Sequence, residues 1–213
     1  MGKRGRFITF EGGEGSGKST QIKRLAADLA KRGLEVVATR EPGGSPGAEA
    51  IRDLLVKGDT DRWDPVTEAL LHFAARRDHL RVTVRPALDR GAWVVSDRYA
   101  DSSMVYQGWG MGVDRASLDA LFRIATDGLK PDLTLVLDVP VEIGLARAGA
   151  RRGGEDRYER MGEALHQRLR EGFLAVAAAE PERCVVIDAG GTVDEVAAAI
   201  RAAVEAKFGL APS

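Results

Sequence analysis

The sequence predicts an α/β fold in which helices on both faces cover a five-stranded parallel sheet, and two observations support this prediction. Short runs of apolar and β-branched residues, typical of strands buried on both faces, occur at residues 7–11, 35–40, 92–97, 133–138 and 184–188. Longer amphipathic segments alternate with these runs, at residues 18–32, 48–57, 65–90, 115–127, 141–150, 159–179 and 193–208. Strands that alternate with helices in this way form doubly wound sheets.

Length and composition agree with a single domain. The chain has 213 residues, of which 44% are hydrophobic and 30% charged, so it can bury a sizeable core. The sequence contains no internal repeat and no long linker rich in proline or serine. We therefore expect one domain over residues 1–213.

The charge balance and the cysteine content exclude several classes of protein. Lysine and arginine number 31 against 32 aspartate and glutamate residues, which argues against nucleic acid as a partner. The single Cys184 lies in an apolar run, as expected of a buried thiol in a reducing compartment. No apolar run is as long as a signal-peptide core or a membrane span. We expect a cytoplasmic protein that binds no membrane.

A phosphate-binding loop follows the first predicted strand and leads into the first predicted helix. Its glycines allow backbone N–H groups to converge on phosphate oxygens, and the helix adds the positive end of its dipole. Lys18 is expected to reach the β- and γ-phosphates, while Ser19 is expected to bind Mg²⁺. The residues predicted to surround the nucleoside triphosphate are Gly12, Gly13, Glu14, Gly15, Ser16, Gly17, Lys18, Ser19 and Thr20.

Ligands of such sheets bind beyond the carboxyl ends of the strands, which directs attention to the residues that end each strand. Asp97 ends the third strand and is expected to hold the waters of the magnesium ion. Asp138 ends the fourth strand and competes for this role, but a cationic residue follows only Asp97. That residue, Arg98, suits a phosphate clamp better than a surface ion pair.

Three further motifs, together with the phosphate-binding loop, resemble those of bacterial thymidylate kinases. They are Thr39-Arg40-Glu41-Pro42-Gly43-Gly44, Ser96-Asp97-Arg98-Tyr99 and Tyr106-Gln107-Gly108, and the resemblance extends over nearly the whole chain. It implies a P-loop NTPase fold of the nucleotide-kinase type with a small lid. It also implies transfer of the γ-phosphoryl group of ATP to dTMP, with Mg²⁺ as cofactor, in the synthesis of dTTP. The family is typically homodimeric.

The resemblance also assigns roles around the acceptor nucleotide. Glu14 would face the 3′-hydroxyl of the deoxyribose, and Arg98 would hold the acceptor phosphate with Arg40 nearby. The adenine of ATP would lie near Arg147, against residues 189–192.

Further acceptor residues are expected beyond the third strand. The resemblance implies that Ser102 and Ser103 offer hydroxyls to the thymine edge, and that Tyr106 packs under the sugar and disfavours a ribose 2′-hydroxyl. Gln107, in the same motif, is expected in the substrate site. Ser102, Ser103 and Tyr106 also suit a helix cap or a closed loop, since polar residues often follow strands for those reasons.

The predicted helix at residues 65–90 departs from the family pattern, in which an aromatic ring stacks on thymine and an arginine four residues later contacts the base. This chain offers His72 with Arg76, or Phe73 with Arg77. The number of residues between the arginine and Pro86 favours Arg76 over Arg77 as the one that contacts the base. Phe73 lies on an apolar stripe and suits the core, so both His72 and Phe73 remain candidates for the stacked ring.

A basic segment at about residues 147–158 resembles the lid of the family. Arg147, Arg151, Arg152 and Arg157 flank two glycines, and an arginine there would neutralise charge on the transferring group while the lid excludes water. In one class of the family, an arginine inside the phosphate-binding loop supplies this cation instead. Gly15 stands at that place here, so the resemblance implies that the lid supplies it.

The resemblance gives a catalytic set that needs no general base, because the acceptor phosphate is ionised at neutral pH. Its members are Lys18, Arg98, Mg²⁺ and one of Arg151, Arg152 and Arg157. The sequence does not rank Arg151 against Arg152. Two other hypotheses remain: a P-loop kinase for another nucleotide or a nucleoside, and an NTP-driven switch whose output is a changed binding partner.

Overall fold

A computed structural model of the chain describes residues 4–149, 157–158 and 160–211. Its sheet has five strands: β1 (Phe7–Glu11), β2 (Val36–Arg40), β3 (Trp93–Asp97), β4 (Leu133–Asp138) and β5 (Cys184–Asp188). All strand pairs are parallel, in the order β2-β3-β1-β4-β5. The predicted sheet is confirmed, with the second and third strands each beginning one residue later than expected.

Helices flank the sheet on both faces. They are α1 (Lys18–Lys31), α2 (Pro46–Val56), α3 (Pro65–His79), α4 (Arg85–Asp89), α5 (Ala100–Ser103), α6 (Arg115–Thr126), α7 (Val141–Gly149), α8 (Glu163–Ala179) and α9 (Val193–Phe208). Two π-helical segments join them, π1 (Leu80–Val84) and π2 (Met104–Gly110). Among the described residues, no helix is both long and apolar enough to cross a membrane.

The prediction of one continuous helix over residues 65–90 is wrong in detail. The chain there forms α3, π1 and α4 in succession. Pro86 lies at the start of α4, where it can neither donate a backbone hydrogen bond nor clear the carbonyl four residues before it. The wider π turn accommodates this break. The sequence analysis also missed α5 and π2, which follow β3.

The core lies on both faces of the sheet because side chains of each strand alternate between them. In β1, Ile8 and Phe10 pack with α1 and α9, whereas Phe7 packs with π1 and α4. A third cluster joins α8 to π2 and β4, and it includes Cys184. Burial raises the pKa of the Cys184 thiol to about 12, consistent with the inert thiol expected from the sequence.

Candidate active site

One cavity of about 770 Å³ opens at the carboxyl edge of the sheet, beside β1. The strand order reverses there, because β1 lies between β3 and β4, and ligands of open α/β sheets bind at such a switch point. The described residues that line the cavity include members of the phosphate-binding loop, the ends of β2 and β3, α2, α3, α5, α7, π2 and the segment after β5. The structure therefore brings together motifs that are far apart in the sequence.

The phosphate-binding loop has a shape that only glycine permits at two positions. Gly12 has φ of 126°, and a Cβ atom there would lie 2.4 Å from the Leu137 carbonyl oxygen. Gly15 has φ of 66°, and its Cβ would lie 1.9 Å from the carbonyl oxygen of Gly144. No larger side chain fits at position 15 without a shift of α7, which agrees with the expectation that a charge on the transferring group is neutralised from elsewhere.

Lys18 lies at the base of this loop, with its ammonium group buried. Nζ donates to the carbonyl oxygens of Gly12, at 3.0 Å, and Gly13, at 2.8 Å. Burial, together with the charge of Arg98, lowers the pKa of Lys18 to about 8. Ser16, Gly17, Ser19 and Thr20 also line the cavity beside it.

The structure favours Asp97 over Asp138 for the position beside Ser19. The Ser19 hydroxyl donates to Oδ2 of Asp97 at 2.9 Å, and both residues line the cavity. Asp138 instead accepts two hydrogen bonds from Arg170, at 2.7 and 2.9 Å. Two adjacent oxygen groups at the mouth of a phosphate-binding loop suit a hard cation such as Mg²⁺.

Arg98 connects the phosphate-binding loop to the opposite side of the cavity. Its guanidinium donates to the Gly12 carbonyl oxygen and to Oγ of Ser102, both at 3.1 Å, to the Tyr106 hydroxyl at 2.9 Å, and to Oε1 of Glu14 at 2.7 Å. Its φ of 70° is unusual for a non-glycine residue and marks a backbone held in place by its surroundings.

Glu14 carries a negative charge inside the loop. Burial alone would raise its pKa, but the charges of Arg98 and Lys18 and a hydrogen bond from Tyr106 lower it to about 2. Tyr106 donates this bond at 2.8 Å. Glu14, Arg98 and Tyr106 therefore form a connected polar group at the centre of the cavity.

Arg76 is buried, and its guanidinium donates hydrogen bonds to three protein groups. These groups are Oε2 of Glu41 at 2.7 Å, Oγ of Ser103 at 3.1 Å and the carbonyl oxygen of Tyr99 at 3.0 Å. Glu41 also contacts Nδ1 of His79 at 2.9 Å. Burial acts to raise the pKa of Glu41, yet Arg76 and His79 bring it below its usual value. The structure thus favours Arg76, rather than the exposed Arg77, at the cavity.

The two candidate rings of α3 lie on different sides of the helix. His72 lines the cavity, where its Nε2 lies 2.8 Å from the Tyr158 hydroxyl. Burial and the charge of Arg76 lower the pKa of His72 to about 3, so the imidazole is neutral. Phe73 instead packs between α3 and α6, in a cluster with Met104 and other apolar residues. Phe73 does not line the cavity, because its helical face turns it into the core, so the structure favours His72 of the two candidate rings.

The remaining predicted residues lie at the two ends of the cavity, which Arg40, Gln107 and Arg147 all help to line. Arg40 is half exposed and pairs with Glu49 at 3.0 Å. Gln107 is buried at the end near His72. Arg147 donates to the carbonyl oxygens of Ala189 and Gly190, at 3.0 and 3.5 Å, in the segment expected near adenine.

Arg157 does not lie where the lid prediction expects it. Its guanidinium is buried, with Nη1 2.6 Å from Oε2 of Glu68 on α3. It also donates to carbonyl oxygens at the end of α2 and in the α2–α3 connection. Its donors are thus committed within the protein rather than presented to the cavity. Arg151 and Arg152, the other predicted lid arginines, lie outside the described residues.

Sequence reasoning missed four residues that shape the site: Glu11, Glu41, Glu68 and Tyr158. Buried Glu11 accepts hydrogen bonds from the Tyr99 amide and the Ser102 hydroxyl, and burial with the nearby Asp101 raises its pKa. Glu41 stands inside a motif already singled out, and Tyr158 directly follows a predicted lid arginine. Glu68 had no sequence signal beyond its position in the first turn of α3.

The fold and the site together define a P-loop NTPase fold of the nucleotide-kinase type. A family model described as thymidylate kinase matches residues 10–200. The chain belongs to the thymidylate kinase family and is therefore a nucleotide-binding kinase, as its motifs predicted.

Individual relatives agree with this membership over nearly the full chain. The chain is 57% identical, over 206 residues, to the thymidylate kinase of Caulobacter vibrioides, covering 97% of this chain and 99% of the relative. It is 54% identical, over 203 residues, to that of Nitrobacter winogradskyi, covering 94% and 88%. The crystal structure of thymidylate kinase from Ehrlichia chaffeensis superposes with a TM-score of 0.77 at 33% identity, covering 94% and 99%.

Proposed function

We propose that this chain transfers the γ-phosphoryl group of ATP to dTMP and releases dTDP and ADP, a step that supplies dTTP. The observation that carries this proposal is the position of Arg98, whose guanidinium contacts both the phosphate-binding loop, at Gly12, and the opposite cluster of Ser102 and Tyr106. A cation between the phosphate-binding loop and the acceptor region is suited to hold the acceptor phosphate close to the γ-phosphate of ATP.

Positioning and charge neutralisation account for the catalysis. The acceptor phosphate has its second pKa at about 6, so its oxygen attacks without a general base at neutral pH. Lys18 and the loop amides hold the β- and γ-phosphates, and Arg98, with Arg40, holds the acceptor phosphate. The charge of Glu14, fixed by its pKa of about 2, suits it to accept a hydrogen bond from the 3′-hydroxyl of the acceptor sugar.

The acceptor base would lie between His72, Arg76, Ser103 and Gln107. The neutral imidazole of His72 offers a ring face for stacking, and the guanidinium of Arg76 lines the cavity, where it would donate to a carbonyl oxygen of the base. Tyr106 would lie against the sugar, since its hydroxyl is committed to Glu14 and Arg98. At the other end, Arg147 and the segment after β5 would contact adenine.

We propose Mg²⁺ as the cofactor, with Ser19 and Asp97 on the protein side. Within the described part of the chain, no cluster of three or more histidine, cysteine, aspartate or glutamate residues could hold a metal. This agrees with a cation held mainly by phosphates and waters. When bound, Mg²⁺ would supply positive charge beside the triphosphate, with Ser19 and Asp97 as the residues that would hold it and its waters.

Two more proposals rest on the family resemblance and the sequence. Arg151 or Arg152 would supply the cation that neutralises the transferring group. The protein would form a cytoplasmic homodimer that binds neither membrane nor nucleic acid; Val66, Leu70 and Ile124 are exposed apolar side chains on α3 and α6, with 54%, 51% and 73% of their surface accessible. Light scattering of the purified chain measures the oligomeric state directly.

A coupled assay of ADP release tests the proposed reaction. ATP and Mg²⁺ are supplied with dTMP, dUMP, UMP, CMP, thymidine or no acceptor. We expect fast turnover with dTMP and loss of turnover when EDTA removes the metal. Turnover only with another acceptor would assign a different kinase activity, and hydrolysis that no acceptor stimulates would support an NTP-driven switch.

A further inference from the structure

We propose that the buried ion pair of Arg157 and Glu68 determines which pyrimidine the acceptor end accepts, by fixing the orientation of the Gln107 side-chain amide. In this role Arg157 and Glu68 are positioning residues that need not touch the substrate. The inference rests on the proposed function, because it assumes that the base of a nucleotide acceptor lies beside Gln107.

The ion pair is enclosed, and its geometry leaves little freedom. Both side chains are 1% exposed, and Nη1 of Arg157 lies 2.6 Å from Oε2 of Glu68. The other Arg157 donors bind the carbonyl oxygens of Leu55, at 3.2 Å, and of Asp59 and Thr60, both at 2.9 Å. Carbonyl oxygens from two elements thus hold the arginine, which in turn holds the carboxylate.

The second oxygen of the carboxylate orients Gln107. Oε1 of Glu68 accepts a hydrogen bond from Nε2 of Gln107 at 2.8 Å. A carboxylate can only accept, so the amide must present its NH₂ group to Glu68 and turn its own Oε1 away. Gln107 is 1% exposed and lines the cavity, and among the described residues its Oε1 has no hydrogen-bond partner. A buried acceptor without a partner is costly, so the site is suited to a ligand that brings a donor.

Pyrimidines differ in what they bring to such an acceptor. Thymine and uracil carry an N3–H donor, whereas cytosine carries a lone pair on N3 and an amino group on C4. The fixed Gln107 Oε1 can accept from N3–H, but it repels the N3 lone pair of cytosine. A rotated amide would reverse this preference. The ion pair opposes rotation, because rotation would place Oε1 of Gln107 against Oε1 of Glu68.

The test compares dUMP with dCMP, which both lack the 5-methyl group and differ only at N3 and C4. We measure kcat/KM for each in the full-length protein and in Glu68→Gln, whose side-chain amide can donate to Oε1 of Gln107 and so permits rotation. We expect the dUMP-to-dCMP ratio to fall at least tenfold, with the KM for ATP changed less than twofold. Binding of both nucleotides, measured by calorimetry, gives the same ratio where turnover of dCMP is too slow.

Glu68→Gln leaves Arg157 buried without a counter-charge, which can prevent folding. The double variant Glu68→Gln/Arg157→Gln removes both charges and should show the same loss of discrimination. In a Gln107→Leu background, Glu68→Gln should change the ratio no further. Val204→Ala, a core truncation in α9, is the stability control: it should lower Tm and leave the ratio unchanged.

Three results would count against these ideas, two of them against the role of the ion pair and one against the proposed function. An unchanged ratio, with both acceptors weakened equally, would reduce the ion pair to a structural role and overturn the proposal. A loss of about 10³-fold in kcat for Arg157→Lys, with the dUMP-to-dCMP ratio preserved, would also overturn the proposal. It would indicate that Arg157 contacts the transferring phosphoryl group, as the lid prediction has it. Failure of the unaltered protein to phosphorylate any pyrimidine nucleotide would refute the proposed function instead, and is seen before any variant is made.

Discussion

The two ends of the cavity are built in different ways. At the triphosphate end, the contacting groups are neighbours in the sequence: Lys18 binds the carbonyl oxygens of Gly12 and Gly13 and lies beside the Ser16 hydroxyl. At the acceptor end, the contacting groups are distant: Arg76 binds Glu41 across 35 residues, and Arg157 binds Glu68 across 89. One end is built around a local motif, to which the fold adds Asp97, and the other is a product of the tertiary fold throughout.

The difference follows from what each end must recognise. A phosphate is symmetric and negatively charged, so backbone amides, one lysine and a helix N-terminus suffice to bind it. A base has a planar edge with donors and acceptors in fixed places, so its partners must be held in single orientations. Here buried carboxylates hold them, and such pairs are sensitive because removal of one partner leaves the other charge unpaired. Damage to the two ends should therefore have different kinetic signatures.

The largest expected effect is at the triphosphate end. Lys18→Met removes the cation beside the β- and γ-phosphates, and we expect kcat to fall about 10²- to 10³-fold, the range found when one preorganised charge donor is removed. Affinity for dTMP, measured by calorimetry, should change less than threefold. Lys23→Met, on the exposed side of α1, is the matched control and should retain full activity. A parallel loss of dTMP affinity in Lys18→Met would show that the two ends are not separable.

A substitution at the acceptor end should give the opposite pattern. Arg76→Lys keeps the charge but cannot reach Glu41, Ser103 and the Tyr99 carbonyl at once, so several charge-assisted bonds are lost. We expect kcat/KM for dTMP to fall about 10²-fold, from charged hydrogen bonds worth about 1.5–3 kcal/mol each. The KM for ATP should remain within twofold of its original value. Arg81→Lys, at an exposed arginine of π1, serves as the control.

The two ends should also respond differently to pH. Burial and Arg98 lower the pKa of Lys18 to about 8, so its charge is present below pH 8 and lost above it. We expect kcat/KM for ATP to fall about tenfold per pH unit above pH 8. Affinity for dTMP should stay flat between pH 7 and 9, because Glu14 and His72 have pKa values of about 2 and about 3. A fall of both parameters together would point to a titrating group shared by the two ends.

The same difference explains how much of the protein could be predicted from its sequence. The sheet and the phosphate-binding loop were predictable because apolar runs and glycine spacing are local signals. The position of Asp97 and Arg98 at the cavity was predictable because parallel strands end at one edge of the sheet. Pro86 is a local signal for the break in the helix at the start of α4. The segment from α5 to π2 was not predicted, because its apolar residues show no clear helical or strand periodicity.

The acceptor end was predictable only in part, since ion-pair partners are set by tertiary packing. Arg157 was expected in the lid because it lies in a basic run, but its environment depends on Glu68 in another helix. Glu41 lay in a recognised motif, yet nothing local indicated that it would bind Arg76. The choice between His72 and Phe73 needed the helix to be placed against the rest of the protein, which turned one ring to the cavity and the other to the core.

The smallest expected effect concerns the ring of His72, and it tests whether the acceptor end is set by packing or by paired polar groups. His72→Phe adds apolar area for stacking on the base, but it removes the His72 nitrogen that lies 2.8 Å from the buried Tyr158 hydroxyl, which keeps its contact with Glu68. The lost hydrogen bond costs about 1 kcal/mol, which offsets the gain, so the KM for dTMP should change less than threefold.

The double variant His72→Phe/Tyr158→Phe separates these two contributions. With the hydroxyl also removed, only the stacking gain remains, and calorimetry should show that dTMP binds more tightly than to the unaltered protein. Tyr158→Phe alone should weaken binding, because the His72 nitrogen then loses its partner. If the double variant binds dTMP no better than His72→Phe, the His72–Tyr158 hydrogen bond does not limit the site, and the acceptor end depends on packing more than its buried polar pairs suggest.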